Sequence, residues 1–485
     1  MKVNSIQFLV FFPVVAFAFY LLPPRWRWVL LLGASFLFYL SWDPQYIVVL
    51  LTVTAIGYLG GLWLIWSTRL QIRRAILMGS LLAILGILFV FKNFNLSNYT
   101  LHAVLDHLGI SSDLYLVLPL GISFFTLQTI SYMVDVYRGV TKPEKHPGIY
   151  ALFIAFFPHL TAGPIARANQ LLPQLRTPHA PEYERIVSGL LRMAWGFFKK
   201  LVIADRLALL VNSVYGDPTA YTGIPLILAT YAFAFQIYCD FSGYADIALG
   251  AASVLGINLQ ENFQQPYYAR SILDFWRRWH ITLYTWLRDY IFYPLTRIFH
   301  RSRMGSAVLL SLVLPPIVTM LASGLWHGNQ WTFIIWGALH GLYMACSVLL
   351  NRGKIQLQLP FRLPDRIATG LRIFATFHLV SFAWIFFRAN SLPEAVYIVR
   401  NLFVNLELRP SLMSMSPGGW YELSIALVGI LMMEIVHWLQ RRHASLRVVI
   451  RSQPAWLRWS VYYGLVVVIF IFGKFETAEF IYSRF

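Results

Sequence analysis

Apolar residues recur along this chain in runs at 8–22, 29–40, 47–66, 75–91, 114–136, 224–238, 307–321, 331–350, 373–387, 424–436 and 461–472, with short polar or basic stretches between them. A helix needs about 20 residues to cross the hydrocarbon core of a bilayer, or about 17 at the short end. Several runs must therefore extend into their aromatic or polar flanks. The pattern predicts an all-α polytopic membrane protein with about eleven transmembrane helices plus re-entrant or interfacial helices. No repeat, low-complexity tract or long linker divides the sequence, so residues 1–485 read as a single membrane domain. The first run follows one basic residue, lacks a small-residue cleavage site and leads at once into a second run. It reads as the first span rather than a cleavable signal.

Composition agrees with that pattern. Hydrophobic residues make up 58% of the chain, against roughly 45–50% in soluble domains, and the mean hydropathy is +0.60. The net charge of +18 comes from only 12% charged residues, and the positive ones lie between the runs. Arg69, Arg73 and Arg74 follow the third run, and Arg138, Lys142 and Lys145 follow the fifth. Arg352, Lys354, Arg362, Arg366 and Arg372 form another linker, and Arg441, Arg442, Arg447, Arg451 and Arg458 the last. Placing these groups in the cytoplasm is self-consistent at both ends and puts residues 391–421 outside. The rule gives no single answer between residues 148 and 268, where Lys199, Lys200, Asp205 and Arg206 interrupt an apolar segment. The basic balance thus reads as membrane topology, with lipids as partners and no nucleic acid, which would need a continuous basic face. Cys239 and Cys346 both have apolar neighbours, so neither a disulfide framework nor a cysteine-rich zinc site is supported.

Three regions are too polar for helices that only fill hydrocarbon. In "VLPLGISFFTLQTISYMVDVYRG", Gln128 and Asp135 are about two turns apart and share a face that should point into protein or water. They suit an interhelical hydrogen-bond pair, or the lining of a substrate passage. In "FIAFFPHLTAGPIARANQL", Pro158 and Pro164 interrupt the run and Gly163 permits a tight bend, which predicts a short re-entrant or interfacial segment with His159 capping or pairing within it. In "AFQIYCDFSGYADIALG", Asp240 and Asp246 lie either side of an expected glycine turn without the histidines or carboxylates of a metal cluster.

The segment that follows, "ENFQQPYYARSILDFWRRWHITLYTWLRDYIFYPL", carries Arg277, Arg278 and His280 among Trp276, Trp279 and Trp286. It looks like a helix at a membrane boundary. Two uses fit it: anchoring, with arginines on lipid phosphates and tryptophans at headgroup level, or an entrance for an anionic donor lined by Arg277 and Arg278.

In "LASGLWHGNQWTFIIWGALHG", His327 falls between an outgoing and a returning helix, near the outer half under the topology above. Gly324 and Gly328 are four apart, as are Gly337 and Gly341, which lets neighbouring helices approach closely. His327 then has a purely structural use, hydrogen-bonded in a loop. It also has a chemical one, because a neutral imidazole can take the proton of a hydroxyl while that oxygen attacks an activated acyl group. No GxSxG elbow supplies a serine nucleophile.

Taken with "IQFLVFFPVV", "LLLGASFLFYLSW", "FFPHLTAGPI" and "GLWHGNQWTFIIWGALHG", these stretches resemble the membrane-bound O-acyltransferase family over nearly the whole chain. The likeness is specifically to its bacterial branch, which includes the alginate O-acetylation and teichoic-acid D-alanyl transfer proteins. His327 matches the family's principal catalytic histidine, and His280 the second active-site histidine in its Arg-Trp-His motif. The resemblance implies a bowl-like helical bundle with a thin centre, reached by donor and acceptor from opposite membrane faces. It implies transfer of an acyl group, most often acetyl, from a cytoplasmic thioester such as acetyl-CoA toward an extracytoplasmic polysaccharide, directly or through a partner acetyltransferase. No tightly bound cofactor or metal is implied, and the location is the bacterial cytoplasmic membrane. D-alanyl transfer, or acylation of lipid or protein, fits the same resemblance, and the intramembrane polar residues alone would also suit a transporter or flippase. Two departures, "TRIFHRSRMG" after "YPL" and Asn329 after "LWHG", weaken assignment to alginate as the polymer.

Overall fold

The structure, a computed structural model, describes the chain apart from residues 1–2, 4, 43, 108–117, 302–306, 353–363, 407–418, 443–449, 451, 476–480 and 482–485. Lys354, Arg362, Arg447 and Arg451 of the basic linkers, part of the 391–421 segment, and the end of "TRIFHRSRMG" lie outside the described residues. All regular structure among the described residues is helical, and the chain is an all-α polytopic membrane protein.

Seven described helices are long and apolar enough to cross a membrane: Pro44–Trp66, Leu70–Lys92, Ile224–Val254, Trp331–Leu350, Asp365–Arg388, Gly419–Arg442 and Ala455–Phe472. Four of the runs that suggested about eleven crossings fall outside this set, for reasons of length and composition. The first forms a helix of 16 residues, and the second one of 17 that includes Arg25 and Arg27. The fifth forms a 17-residue helix in which Gln128, Asp135 and most other side chains are buried in protein. The seventh forms a 21-residue helix, Ala307–His327, whose fully described part, Leu312–His327, is one of the shorter apolar stretches.

The helices group into two compact units, Met1–Met193 with Asp246–Gln260, and Ala194–Ala245 with Glu261–Ile481. The first unit contains α1 (Ile6–Leu21), α2 (Pro24–Leu40), α3 (Ile47–Trp66), α4 (Leu70–His107), α5 (Ile122–Arg138), α6 (Pro147–Ala155), α7 (Phe157–Leu160), α8 (Ala168–Arg176) and most of α9 (Tyr183–Phe197). On α5, Gln128 donates to the Phe153 carbonyl near the end of α6 (2.7 Å), an interhelical hydrogen bond. The break expected near Pro158 is present: α6 stops at Ala155, α7 lasts one turn, and 161–166 is buried non-helical backbone. Such backbone must find partners inside protein. Ser35 of α2 accepts from the Phe157 amide, and Gly163 turns back onto the His159 carbonyl. His159 is buried in this break against Phe156.

The second unit contains the π-helical stretch Phe198–Ala204, α10 (Asp205–Gly216), most of α11 (Ile224–Val254), α12 (Ile272–Trp276), α13 (Ile281–Leu287), α14 (Tyr293–Arg301), α15 (Ala307–His327), α16 (Trp331–Arg352), α17 (Asp365–Arg388), α18 (Leu392–Asn401), α19 (Gly419–Arg442) and α20 (Ala455–Phe472). Its polar interruption at Lys199–Arg206 is a buried charge network. Lys200 Nζ lies 2.8 Å from Asp205 and 2.6 Å from Asp240, and Lys199 donates to Ser242 (2.8 Å). Arg206 pairs with Glu422 of α19, whose other oxygen takes Lys474 at 3.0 Å.

The glycine turn expected between Asp240 and Asp246 is absent, and α11 runs straight through it. Gly243 serves close packing instead: a Cβ there would meet the Gly196 carbonyl at 2.8 Å. The two aspartates are also committed separately. Asp240 takes Lys200 and the Ile481 amide, while Asp246 takes Arg192 in the first unit.

Candidate active site

Within the second unit, α15 and α16 form a tight hairpin whose contact depends on the glycines singled out in the sequence. A Cβ on Gly324 would strike the Phe333 carbonyl, one on Gly337 the Met320 carbonyl, and one on Gly341 would sit 2.7 Å from Ile317 Cα. Each is a backbone atom that cannot swing aside, so only glycine permits this separation. The hairpin delivers His327 as the last residue of α15, 2% exposed.

Three aromatic rings enclose the His327 imidazole, all nearly perpendicular to it: Trp326 at 4.7 Å between centroids, Trp336 of α16 at 5.1 Å, and Phe387 of α17 at 5.1 Å. The helices that form this box also carry buried polar atoms without partners among the described residues. The Trp336 and Trp384 indole nitrogens and the Ser323 hydroxyl, one turn before His327, are buried and make no hydrogen bond among the described residues. Buried donors left unmade are rare and call for a reason, such as a bound polar group. Further along α16, His340 Nδ1 accepts from the Trp276 indole at 3.3 Å, tying α12 to the hairpin.

His280 is equally buried, at 1%. It does not lie on a continuous boundary helix. Ser271 caps α12 by accepting from the Asp274 amide, α12 ends at Trp276, and His280 takes a left-handed conformation (φ 42°, ψ 54°) that starts α13 in a new direction. A non-glycine residue rarely adopts that conformation unless its surroundings impose it. Here an extended strap imposes it: the Gln264 amide donates to the Arg278 carbonyl (2.9 Å) and the Ile281 amide to the Asn262 carbonyl (2.9 Å). The Asn262 side-chain oxygen adds bonds to His280 Nδ1 (3.1 Å), the Thr282 amide (3.2 Å) and the Thr282 hydroxyl (2.9 Å). Burial pulls the His280 pKa down to about 3, so the ring is neutral at physiological pH.

The two histidines share a neighbour. The Trp326 ring lies 6.2 Å from His280 and 4.7 Å from His327, so residues far apart in sequence flank one indole. The tryptophans of the segment are buried in protein: Trp276 and Trp279 are each 1% exposed and Trp286 6%. Trp276 packs against His340 and Trp336, Trp279 against Trp384, and Trp286 against Tyr290. Alternating aromatic and basic residues fit an interface or a core equally well in sequence, and the sharp turn at His280 decides for the core.

Of the two arginines suggested as a donor entrance, Arg278 is engaged by Asp274 (2.8 Å). Arg277 is exposed and lies beside the Tyr284 hydroxyl. Asn262 was not singled out in the sequence, although "ENF" contains it. Nothing in local spacing links it to a histidine 18 residues later.

Comparison with known proteins bears on this site as a whole. Residues 146–387, which include His280 and His327, match the membrane-bound O-acyltransferase family. The chain is 37% identical over 397 residues to a probable alginate O-acetylase of Azotobacter vinelandii, covering 81% of this chain and 76% of that one. It is 34% identical over 425 residues to the peptidoglycan O-acetyltransferase of Helicobacter pylori, covering 82% and 77%. A teichoic acid D-alanyltransferase of Bacillus subtilis is 27% identical over 280 residues, covering 55% and 68%. With more than a third of aligned positions identical over four-fifths of its length, the chain belongs to the membrane-bound O-acyltransferase family.

Proposed function

We propose that this protein is an O-acetyltransferase of the bacterial cytoplasmic membrane, which moves acetyl from a cytoplasmic thioester such as acetyl-CoA toward an extracytoplasmic polysaccharide, directly or through a partner acetyltransferase. The observation that carries this reading is the enclosed His327, held at the end of a glycine-packed hairpin among unpaired buried donors. The relatives named for O-acetylation align over a larger share of the chain, and at higher identity, than the relative named for D-alanyl transfer.

In this mechanism His327 accepts the proton of the attacking hydroxyl as its oxygen bonds to the thioester carbonyl carbon. The tetrahedral intermediate places negative charge on the former carbonyl oxygen, where the Trp336 indole N–H and Ser323 hydroxyl are candidate donors. Collapse breaks the C–S bond, and the thiolate takes the proton held by His327. The aromatic box restricts water, which would otherwise compete as the nucleophile. The protein's part is to hold these groups in place, with no tightly bound cofactor required.

The test is acetyl transfer in membrane vesicles supplied with acetyl-CoA labelled in its acetyl group, with wild type and His327→Ala compared. Label should reach an extracytoplasmic polymer with wild type alone. Movement of intact substrate without acyl transfer in either sample would oppose the enzyme reading. Full activity in His327→Ala would remove the role given to that residue. Supplying a D-alanyl thioester in parallel decides which acyl group is used.

A further inference from the structure

The bonds around Asn262 fix which ring nitrogen of His280 carries the proton. A side-chain amide can be turned either way, so its orientation has to be read from its partners. The Thr282 backbone amide can only donate, and it points at Asn262 at 3.2 Å. The facing atom is therefore the amide oxygen. His280 Nδ1 lies 3.1 Å from that same oxygen. An oxygen offers no proton, so Nδ1 must be the protonated nitrogen, and Nε2 of the neutral ring holds the lone pair. The amide's nitrogen is buried without a partner among the described residues, while its oxygen receives the ring, the Thr282 amide and the Thr282 hydroxyl. Leaving a buried donor unmade is costly. The arrangement thus serves the oxygen at the expense of the nitrogen.

We infer that Asn262 is a positioning residue of the active site, which locks His280 as the Nδ1–H tautomer and so limits Nε2 to accepting a hydrogen bond. The inference rests on the proposed acyl transfer and narrows it. A nitrogen that can only accept has nothing to give a thioester carbonyl oxygen, which needs a donor. It can receive the hydrogen of a hydroxyl. His280 therefore acts on the acceptor side of the reaction, accepting from a second hydroxyl of the polysaccharide and so orienting the acceptor, while His327 takes the proton of the attacking hydroxyl.

The tautomer is tested first, without reference to activity. Full-length protein labelled with 15N-histidine is reconstituted in lipid bilayers for solid-state NMR, and the His280 signals are assigned by their loss in His280→Gln. Wild type should show a protonated Nδ1 and an unprotonated Nε2; the reverse pattern overturns the inference even if every variant misfolds. Asn262→Ala should lose that single tautomer, and Asn262→Asp, which keeps acceptor oxygens, should retain it.

Release of free thiol from acetyl-CoA in native membrane vesicles then separates the two sides of the reaction. Asn262→Ala should lower kcat by about 100-fold, leave KM for acetyl-CoA within about twofold, and be rescued at least tenfold by Asn262→Asp. A raised KM with unchanged kcat would place His280 on the donor and overturn its assignment to the acceptor side. A correct wild-type tautomer in vesicles that show no acetyl-CoA-dependent transfer would count against the proposed function alone.

Discussion

The His327 imidazole meets the Trp336 indole at a right angle, with ring centroids 5.1 Å apart. The indole thus supplies both a wall of the box and a buried N–H with no acceptor among the described residues. Trp336→Phe separates these roles, because it keeps an aromatic wall and deletes the donor. If the donor stabilises developing oxyanion charge, kcat should fall by about 100-fold while the thermal midpoint stays close to wild type. An unchanged kcat for thiol release from acetyl-CoA would leave the indole a packing role only.

The hairpin that presents His327 should tolerate no added methyl group. Gly337→Ala would push a Cβ into the Met320 carbonyl on the facing helix, and overpacking of this kind costs about 1–3 kcal/mol. Gly370→Ala on α17 is the matched control, since nothing lies within 4 Å of a Cβ there. Alanine is the better helix former by about 1 kcal/mol. Thermal unfolding in detergent should show a lower midpoint for the first variant and an equal or higher one for the second. Equal midpoints would mean that the two helices can separate without loss.

These glycines show what the sequence made legible. Gly324, Gly328, Gly337 and Gly341 recur at fixed helical spacing, and the packing they imply depends on two neighbouring helices alone. His327 was visible for the same reason, since it ends one helix of that pair. The bonds of Asn262 and the turn at His280 depend on a strap folded across the chain, which leaves no periodic trace. Gly243 misled because glycine serves a turn and a close helix contact equally well. Trp276 and Trp279 misled because tryptophan is equally at home at a headgroup boundary and in a core.

The arginine pair separates into a member beside a tyrosine hydroxyl and a member paired with a carboxylate. Arg278 is held by Asp274, whereas Arg277 is exposed beside Tyr284. If this edge receives an anionic thioester, Arg277→Gln should raise KM for acetyl-CoA severalfold with kcat nearly unchanged, the signature of lost uniform binding. Arg278→Gln should do less to KM. The effect of Arg277→Gln should shrink as salt screens the exposed charge. Equal KM values for wild type and both variants across a salt series would place the donor elsewhere.

The buried network at the π-helical stretch gives the largest expected stability effect. Lys200 contacts Asp205 and Asp240 at once, with all three side chains at most 5% exposed. Lys200→Met removes the shared countercharge and leaves two buried carboxylates close together. Breaking a buried pair from one side costs about 3–5 kcal/mol, so the variant should unfold at a markedly lower temperature or fail to accumulate in membranes. Neutralising the partners as well, with Asp205→Asn and Asp240→Asn added to Lys200→Met, should recover much of the loss, because no charge is then stranded. Recovery in the triple variant alone would identify charge compensation as the reason for the lysine. An equally unstable triple variant would instead assign its contribution to hydrogen-bond geometry around Asp240, which also takes the Ile481 amide at 2.8 Å.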